Sequence, residues 1–528
     1  MFSQLSERSK FIQIYISNNE FVDTVTFVLI LFISAVYIIK NSSRKKGSPP
    51  GPFLKIPLLG HLESFLMGSD LVKKSKALRQ KYGDIFSYNV VGVDTVHLCS
   101  YELIAKALKK KEVGSRIPFQ KISNINSVLS DVYIHGYHGL VITDGEEWQE
   151  QRRFCFKTLK NFGFGKSSLE TIMQEEIKKF CSELRQECQE GSVDLSHRFN
   201  VMVISILWRI IGGKSFDYQD KSFVELVSHL NKGFSAIAPT PKLAILFAFP
   251  FLRKLFPKWT GFDVLKRGYH GVYDFLEKEI KDHKEKLDFD NPKDFIDAYL
   301  VEMKRKTDEG DISSSFFEEK GIECLFCVLH DLFLAGSETS STFLLWSTIL
   351  LIRNPEVQTK IQAELDKVVG KDRLPNIQDQ INTPFTLAFI DEVHRFASHV
   401  PLGVQHWTNE DIDLDGFTIP ANSMVIPNIS EVHHEQGLWG DDRNEFNPDR
   451  LLNEEGEYIK RKEIIPYSIG VRRCPGESLA KSEIYLAITA LLQNFRFTTP
   501  EESEGPSLNY RFGFTLTPEK FDVKLIPR

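Results

Sequence analysis

The order of hydrophobic and polar positions separates one continuous apolar run from a long remainder of mixed character. The run, residues 21–39, reads FVDTVTFVLILFISAVYII. About 20 mostly apolar residues suffice to cross a bilayer, so we expect a transmembrane anchor here, after a short lumenal N-terminus over residues 1–20. Lys40, Arg44 and Lys45 follow at once, and basic residues favour the cytosolic side of a span. A cleaved signal peptide is the alternative, but no small-residue cleavage site follows the run.

The rest of the chain has the spacing of a mainly helical protein. Residues 40–57 are basic and proline-rich and predict a stiff hinge, because proline lacks the amide donor that helices need. Residues 58–528 contain no further linker or repeat and predict one large domain, mainly α with small β-sheets. Short strand-like pieces lie at 87–91 and 96–99, and long helical patterns follow over 146–395. Strand and loop signals mix over 401–465, and a last helix follows Cys474.

A second apolar stretch, residues 237–259, is interrupted by four prolines and several basic residues. It is too broken to span a membrane. Packing in the protein core is one interpretation. Insertion into a membrane surface is the other, because apolar, basic and Trp residues are mixed as they are in interfacial segments.

Composition narrows the class of protein. The 528 residues are 42% hydrophobic and 26% charged, which excludes wholesale disorder and a fibrous repeat. Lys and Arg number 65 against 71 Asp and Glu, a net charge of −6, so no nucleic-acid partner is expected. Phe is frequent, 41 residues against 15 Tyr and 6 Trp, which predicts a large aromatic core, an apolar cavity or membrane contact.

Seven cysteines are too few for a disulfide scaffold in a chain of this length, and they indicate a reducing compartment. Cys324 and Cys327 form a C-x-x-C pair. No His follows the pair directly, and no second pair completes a zinc site. We expect both cysteines on one stripe of a buried helix, with a redox role as the alternative.

Residues 467–477, YSIGVRRCPGE, carry the most specific chemical pattern. Cys474 precedes a predicted helix in which Pro475 suits the first turn, and the helix end together with Arg472 and Arg473 should favour the thiolate. Two glycines allow a flat ligand to approach the backbone: Gly470 and Gly476. A single thiolate beside room for a planar ligand is suited to axial ligation of haem iron. An ordinary buried cysteine in a basic loop is the alternative.

This segment resembles the haem-binding signature of the cytochrome P-450 superfamily, Phe-x-x-Gly-x-Arg-x-Cys-x-Gly, with Tyr467 in place of the Phe. The resemblance implies the cytochrome P-450 fold over residues 58–528. It implies haem b (iron protoporphyrin IX) as the cofactor, with the Cys474 thiolate as axial ligand and with Gly470 and Tyr467 beside it.

A second motif of the resemblance lies in a long apolar helix. Residues 335–339, Ala-Gly-Ser-Glu-Thr, match the family's oxygen-activation motif and imply catalytic roles for Ala335, Gly336, Glu338 and Thr339. A glycine within a helix costs about 1 kcal/mol relative to alanine, and a distortion that makes room beside the iron would explain it. An acid next to an alcohol suits delivery of protons to bound oxygen.

Two further motifs pair residues on one helix face. Glu392 and Arg395 match the family's Glu-x-x-Arg, and the family joins such a pair to a later arginine, here Arg450, as a buried structural trio. Trp148 and Arg152 are four residues apart, so they also share one helix face. The resemblance implies that these two side chains hold the haem propionates together with Arg472 and His406.

The remaining assignments follow from the family's segments. Another stripe of the helix that contains Trp148 is basic and consists of Arg153, Lys157 and Lys160. This stripe is expected either to face solvent without a partner or to dock an acidic redox partner. Apolar residues are expected along the substrate pocket: Leu334, Val400, Leu402, Phe512 and Phe514.

The resemblance implies a monooxygenase that inserts one oxygen atom of O₂ into a lipophilic substrate, by hydroxylation or epoxidation. NADPH–cytochrome P-450 reductase is the expected electron donor, with cytochrome b5 as a further candidate. The expected location is the endoplasmic reticulum membrane, with a single span and the catalytic domain in the cytosol. Two alternatives stay open: a haem-thiolate peroxide isomerase or dehydratase that needs neither O₂ nor reductase, and a non-catalytic haem-binding membrane protein. A hormone precursor, a fatty acid and a xenobiotic all remain candidate substrates.

Overall fold

A computed structural model describes most of the chain after the predicted anchor. The described residues are 46–56, 59–61, 70–162, 167–189, 191–218, 220–236, 240–501 and 504–528. The predicted lumenal segment (1–20), the predicted anchor (21–39) and part of the predicted hinge (40–45 and Pro57) lie outside them. Among the helices of the described ranges, none combines the length and the apolar character needed to cross a membrane.

Helices make up most of the described chain, as the sequence predicts. The first nine are α1 Leu71–Tyr82, α2 Tyr101–Leu108, α3 Ser123–Leu129, α4 Gly145–Asn161, α5 Ser167–Glu187, α6 Leu195–Ile211, α7 Lys221–Ala236, α8 Pro241–Ala248 and α9 Leu252–Leu255. The others are α10 Pro257–Thr260, α11 Phe262–Lys286, α12 Phe295–Asp308, α13 Glu318–Arg353, α14 Pro355–Val368, α15 Pro384–Ala397, α16 Ile429–His433, α17 Gln436–Trp439 and α18 Glu477–Asn494. Short 3₁₀ turns lie at Lys111–Val113, Phe119–Lys121, Ile377–Asn382 and Pro448–Leu451.

The strands form one larger sheet and three small pairs. They are β1 Lys55–Ile56, β2 Gly60–His61, β3 Ile85–Val90, β4 Val93–Leu98, β5 His406–Trp407, β6 Ile412–Leu414, β7 Phe417–Ile419, β8 Ser423–Pro427, β9 Phe495–Thr498, β10 Tyr510–Phe512, β11 Leu516–Pro518 and β12 Lys524–Pro527. The larger sheet has the order β1-β2-β3-β4-β8-β5, and the pairs are β6-β7, β10-β11 and β9-β12. Strands β4 and β8 are parallel, and the other neighbours are antiparallel.

Helix α13 is the centre of the helical part. It begins with Glu318 and Glu319 and ends with Arg353, charges that match the two ends of the helix dipole. Most residues between these ends are buried, because α6, α11, α12, α15 and α18 all pack against the helix. Cys324 and Cys327 are buried and unpaired on α13, which confirms that the C-x-x-C pair belongs to a buried helix.

Aromatic residues fill much of the core, so part of the high Phe content is explained by packing. Phe216 and Phe223 stack with centroids 3.6 Å apart, and Phe333 of α13 meets Trp208 of α6 edge to face. These rings tie α6, α7 and α13 together through contacts that aromatic pairs favour.

In the broken apolar stretch, residues 237–259, one part packs in the core and another part is exposed. Leu243 and Leu246 of α8 are buried, so this part packs in the core. Four large apolar residues that follow are each more than half exposed: Phe251, Leu255, Phe256 and Trp259. An exposed apolar patch of this kind is typical of a surface that contacts a membrane or a partner.

Glycines set the distance between α7 and α11. A Cβ atom on Gly268 would lie 2.6 Å from the Gly233 Cα and 2.8 Å from the His229 carbonyl oxygen. Neither backbone atom can move aside as a side chain can, so the close approach of the two helices requires both glycines.

We expect Gly268→Ala to destabilise the fold by about 1–3 kcal/mol, because the added methyl group must push the two helices apart. The midpoint of chemical denaturation, followed by far-ultraviolet circular dichroism, measures the effect. Gly271→Ala is the matched control on α11, since its Cβ would meet only Leu226 Cδ1, at 3.7 Å. That control should stabilise by roughly 0.5–1 kcal/mol. Equal midpoints for the two variants would contradict the packing argument.

Candidate functional site

The cysteine loop before α18 is held against α2. The Cys474 amide donates to the Tyr467 carbonyl at 3.0 Å, which closes the loop on itself. Gly470 has φ +80°, and a Cβ there would collide with the Leu108 carbonyl at the end of α2. A glycine is therefore required at this position by the backbone conformation and by the packing of the loop.

The structure corrects two expectations about Cys474. Helix α18 begins at Glu477, so Pro475 precedes the helix and does not lie in its first turn. Cys474 keeps accessible surface, but the protein atoms around its thiol displace enough solvent to raise the pKa, and this desolvation outweighs the Gly476 amide and the nearby Arg152 and Arg473 charges. Arg473 is also engaged by the Glu477 carboxylate at 2.5 Å, which weakens its effect on the thiol. In the free protein the thiol form is thus favoured, and coordination to a metal ion would be what removes the proton.

A cluster of cationic and aromatic side chains lies next to this loop. The Arg472 guanidinium is 3.6 Å from the centre of the Trp148 ring. It donates to the carbonyls of Gly114 and Thr143, each at 2.7 Å. Two buried donors of the cluster have no partner among the described residues: Arg472 Nη1 and Trp148 Nε1. Such unpartnered buried N–H groups are rare and point to a ligand that accepts from them.

Arg152 connects the cationic cluster to the cysteine loop. Its Nη2 donates to the Arg473 carbonyl at 2.7 Å. It is also close enough to Cys474 for its charge to lower the pKa of that thiol, against the larger effect of burial. The structure therefore brings Trp148, Arg152, Arg472 and Cys474 together, as their motifs predicted separately.

Arg116 is a member of the cluster that the sequence analysis missed. It is buried and donates to the Val141 carbonyl at 3.1 Å and to the Gln405 carbonyl at 2.8 Å. Burial, with the added charges of Arg472 and Arg152, lowers its pKa to about 9. It lies in an irregular segment and belongs to no motif of fixed spacing, so no local signal pointed to it.

His406, in strand β5, lies near Arg116 and Arg472 of the cluster. Its Nδ1 donates to the Val113 carbonyl at 2.8 Å. Burial, followed by the charges of Arg116 and Arg472, lowers its pKa to about 3. The ring is therefore neutral at pH 7 and adds a polar group without adding charge.

The cluster suits the carboxylates of a haem. Burial lowers the pKa of Arg472 to about 10, offset in part by Asp144 and reinforced by Arg152. Grouped guanidinium charges and free N–H donors bind carboxylates strongly through charge-assisted hydrogen bonds. Arg116, Arg152, Arg472, Trp148 and His406 therefore fit a propionate site, and the exposed Cys474 fits the axial ligand.

The residues of α13 take different positions around the helix. Thr339 is half-buried, and its hydroxyl donates to the Ala335 carbonyl at 2.8 Å. Helix α13 continues unbroken through Gly336, and a Cβ on that glycine would collide with the Leu207 side chain of α6. The glycine thus allows α6 and α13 to approach, and the expected helix distortion is absent from the described helix.

Glu338 is buried and faces strand β11. Its Oε1 accepts from the Thr515 hydroxyl at 2.6 Å, while its Oε2 has no partner among the described residues. Burial raises the pKa of Glu338 to about 7, although the bonds from Thr515 and Thr517 act in the opposite direction. A carboxyl group of this kind can gain and lose a proton at neutral pH. Thr515 was missed by the sequence analysis, because it is joined to Glu338 only by the tertiary fold.

Glu392, Arg395 and Arg450 meet in the core. Arg395 donates to both Glu392 oxygens at 2.7 Å, and both side chains are fully buried. Arg450 Nε donates to Glu392 Oε1 at 3.1 Å. The remaining Arg395 donors bind the carbonyls of His433, Arg443 and Glu445. Arg450 Nη2 also lies 3.1 Å from the Asp442 carboxylate, so two carboxylates compensate the two guanidinium charges.

The predicted pocket residues do not form a single cluster. Leu402 and Phe512 pack together with Leu71, Met424 and Ile426. Leu334 packs against the main core, and Val400 and Phe514 are half-buried.

Comparisons with known proteins show which family the chain resembles over most of its length. The family model described as Cytochrome P450 matches residues 49–525. Cytochrome P450 2U1 of Homo sapiens is 33% identical over 92% of this chain and 90% of that protein. Cytochrome P450 2L1 of Panulirus argus is 33% identical over 88% and 91%, respectively. Cytochrome P450 2J3 of Rattus norvegicus is 33% identical over 96% and 97%.

We expect Glu392→Ala to destabilise the protein by about 3–5 kcal/mol, because it leaves Arg395 buried without its counter-charge. Chemical denaturation measures this loss. Glu309→Ala is the matched control: it removes a similar 2.6 Å pair with Arg305 at the exposed end of α12 and should change stability by at most about 1 kcal/mol. A small effect of Glu392→Ala would mean that the buried trio is not needed for stability.

Proposed function

The chain belongs to the cytochrome P450 family, and we propose that it inserts one oxygen atom of O₂ into a lipophilic organic substrate, with electrons supplied from NADPH through a reductase. Membership confirms the resemblance of the cysteine loop and makes the protein a haem-dependent monooxygenase. One observation carries the proposal: the exposed Cys474 thiol lies beside the cationic cluster, whose buried N–H donors lack an anion.

Haem b, when bound, supplies the redox and oxygen chemistry. In our proposal Cys474 binds the iron, and Arg116, Trp148, Arg152, His406 and Arg472 hold the propionates. Gly470 keeps the cysteine loop seated on α2, and Tyr467 packs beside the thiol. The protein contributes orientation, exclusion of water and control of protons.

Proton delivery is assigned to α13. Glu338 has a pKa of about 7, so both of its protonation states are populated near neutral pH. Thr515 holds Oε1 at 2.6 Å, which leaves Oε2 to exchange a proton with water. Thr339 lies one residue further along and offers a hydroxyl at the half-buried surface of the helix. We propose that these two side chains hold water and pass protons toward the reacting oxygen, next to Ala335 and Gly336.

The redox partner is proposed to dock near the cysteine loop. Arg153, Lys157 and Lys160 are exposed on α4, where a basic surface can steer an acidic partner. An open groove joins this surface to the start of α18, and it is lined by Phe156, Lys157, Lys160, Pro475 and Ser478. NADPH–cytochrome P-450 reductase is the proposed donor, and cytochrome b5 is proposed as a second partner for the same basic surface.

A membrane location is proposed from the apolar surface and from residues 21–39. Phe251, Leu255, Phe256 and Trp259 are exposed within a stretch of nine residues, and Phe53 and Leu54 within the hinge are also exposed. Interfacial segments mix such residues with basic ones. We propose a single span in the endoplasmic reticulum membrane, with the domain in the cytosol and with Leu334, Val400, Leu402, Phe512 and Phe514 along the route or pocket of a lipophilic substrate.

The reduced, haem-loaded protein should give a strongly red-shifted Soret band with CO, and Cys474→Ala should abolish this band while haem content is retained. The thiolate is the cause of the shift in our proposal. Cys188→Ala, which removes another thiol that is not fully buried, should keep the band. An unshifted band in well-folded wild-type protein would refute axial ligation by Cys474.

Product formation that needs neither NADPH nor O₂ would identify an isomerase or dehydratase, and no turnover of any tested substrate would favour a non-catalytic haem protein.

Thr339→Ala should keep the CO band but lower the product formed per NADPH consumed by roughly tenfold or more, because proton delivery contributes at least that much to such steps. Oxygen electrode, NADPH and product measurements give this ratio. Thr348→Ala is the matched control, since its hydroxyl makes the same bond within the helix, to Leu344, at 2.9 Å. Full coupling in Thr339→Ala would rule out its role in proton delivery.

A further inference from the structure

A group of potential metal ligands lies apart from Cys474, where three segments meet. His138 lies in the loop before α4, Glu147 in the first turn of α4 and Cys324 in the second turn of α13. Their nitrogen, oxygen and sulfur atoms all lie within 4.8 Å of one another. His138 Nδ1 and Glu147 Oε1 are 2.8 Å apart. Cys324 is far in sequence from His138 and Glu147, so no local spacing motif could reveal the group.

We propose that His138, Glu147 and Cys324 bind one zinc ion, which joins the loop before α4 to helix α13. Imidazole, thiolate and carboxylate are the donors that Zn²⁺ takes in proteins, with four ligands as the usual number. Water would complete the coordination. The charges of the thiolate and the carboxylate balance those of the ion.

The loop is fixed in the binding position by contacts that involve no metal. The Cys327 thiol lies 3.7 Å from the His135 carbonyl and 3.8 Å from the Gly136 carbonyl. The Asp331 carboxylate accepts from the Leu140 and Val141 amides at 2.6 and 2.9 Å. These bonds tie both sides of His138 to α13, which reduces the ordering that an ion would have to impose.

Gly136 provides the space that the His138 ring occupies. It has φ +81°, and a Cβ there would lie 3.0 Å from both Cδ2 and Nε2 of the imidazole. A larger residue would press on the ring and turn it away from Glu147 and Cys324. The loop backbone is therefore shaped around this histidine.

Two charged neighbours complete the surroundings. Glu323 Oε2 is 3.6 Å from His138 Nε2, longer than a hydrogen bond, and a small rotation of its side chain would let the carboxylate orient a metal-bound imidazole through its second nitrogen. Lys320 Nζ lies 3.2 Å from Glu147 Oε2. Glu147 Oε1 therefore stays available to the ion, although the positive charge of Lys320 repels the ion. On binding, the ion takes the place of the hydrogen at Nδ1, the imidazole stays neutral with its hydrogen on Nε2, and the Cys324 proton goes to solvent.

The ion would stabilise the loop that supports the cationic cluster. The Val141 carbonyl holds Arg116, and the Thr143 carbonyl holds Arg472. Both carbonyls follow His138 within five residues along the chain. Zinc would thus restrain the segment that positions these two arginines, without contact with the cysteine loop.

The test uses the full-length, haem-loaded protein without an affinity tag. Zn²⁺ is added, the excess is removed by dialysis, and retained zinc is counted by mass spectrometry of the elements. X-ray absorption at the zinc edge should show one sulfur at about 2.3 Å and nitrogen or oxygen ligands at about 2.0–2.2 Å. Hydrogen exchange of residues 135–143 should slow with zinc. One retained ion with this shell supports the proposal, and a shell without sulfur overturns it.

Variants identify the ligands. Cys324→Ala should remove the sulfur from the zinc shell, and both Cys324→Ala and His138→Gln should weaken binding at least about tenfold. Lys320→Gln should tighten binding, because it removes an opposing charge. Cys181→Ala, a second buried cysteine far along the chain, and Cys188→Ala, the half-buried one, are controls that should bind as wild type. The CO band verifies that each variant is folded. A sulfur shell that persists in Cys324→Ala, or zinc retention lost in Cys188→Ala, would overturn the assignment.

Discussion

The structure depends on a group of buried positive charges that outnumber the carboxylates beside them among the described residues. Burial lowers the pKa of Arg116, Arg152 and Arg472; the charges of Arg472 and Arg152 lower that of Arg116 further, and the charge of Arg152 lowers that of Arg472. Their hydrogen bonds go mostly to backbone carbonyls, which orient the guanidinium groups but cancel none of their charge. Such an arrangement is costly alone and becomes favourable when a carboxylate ligand enters. The fold therefore positions charge and N–H donors for a carboxylate ligand in advance, which suits the proposed propionate site.

The trio of Glu392, Arg395 and Arg450 differs from the cationic cluster because its charges are compensated within the protein. Here each buried charge has a partner within the protein, and the spare donors bind carbonyls of the segment before Arg450. The trio needs no ligand, so it can hold α15 and that segment in place whether or not a cofactor is bound. One charge cluster is complete and structural, and the other is incomplete and suited to binding.

The sequence predicted what local spacing determines. Glu392 with Arg395, and Trp148 with Arg152, lie on single helices, where three or four residues bring side chains to one face. Arg116 and Thr515 could not be found in this way, since each reaches the site from a distant segment. The thiol pKa of Cys474 was also misjudged, because the neighbouring arginines are visible in the sequence, whereas the loss of solvent around the thiol arises only from the fold. Gly336 was recognised as unusual, but its reason, the Leu207 side chain, lies on another helix.

Tyr467 shows how a departure from a family motif can be accommodated. A buried hydroxyl is costly unless it has a partner, and this one lies 3.4 Å from His394 Nε2. His394 belongs to α15, next in sequence to Arg395 of the buried trio. Since the Tyr467 carbonyl accepts from the Cys474 amide, the tyrosine contacts the cysteine loop through its backbone and α15 through its side chain. The extra oxygen thereby links the loop of the proposed iron ligand, Cys474, to the helix that carries the compensated charges, a connection that Phe could make only by packing.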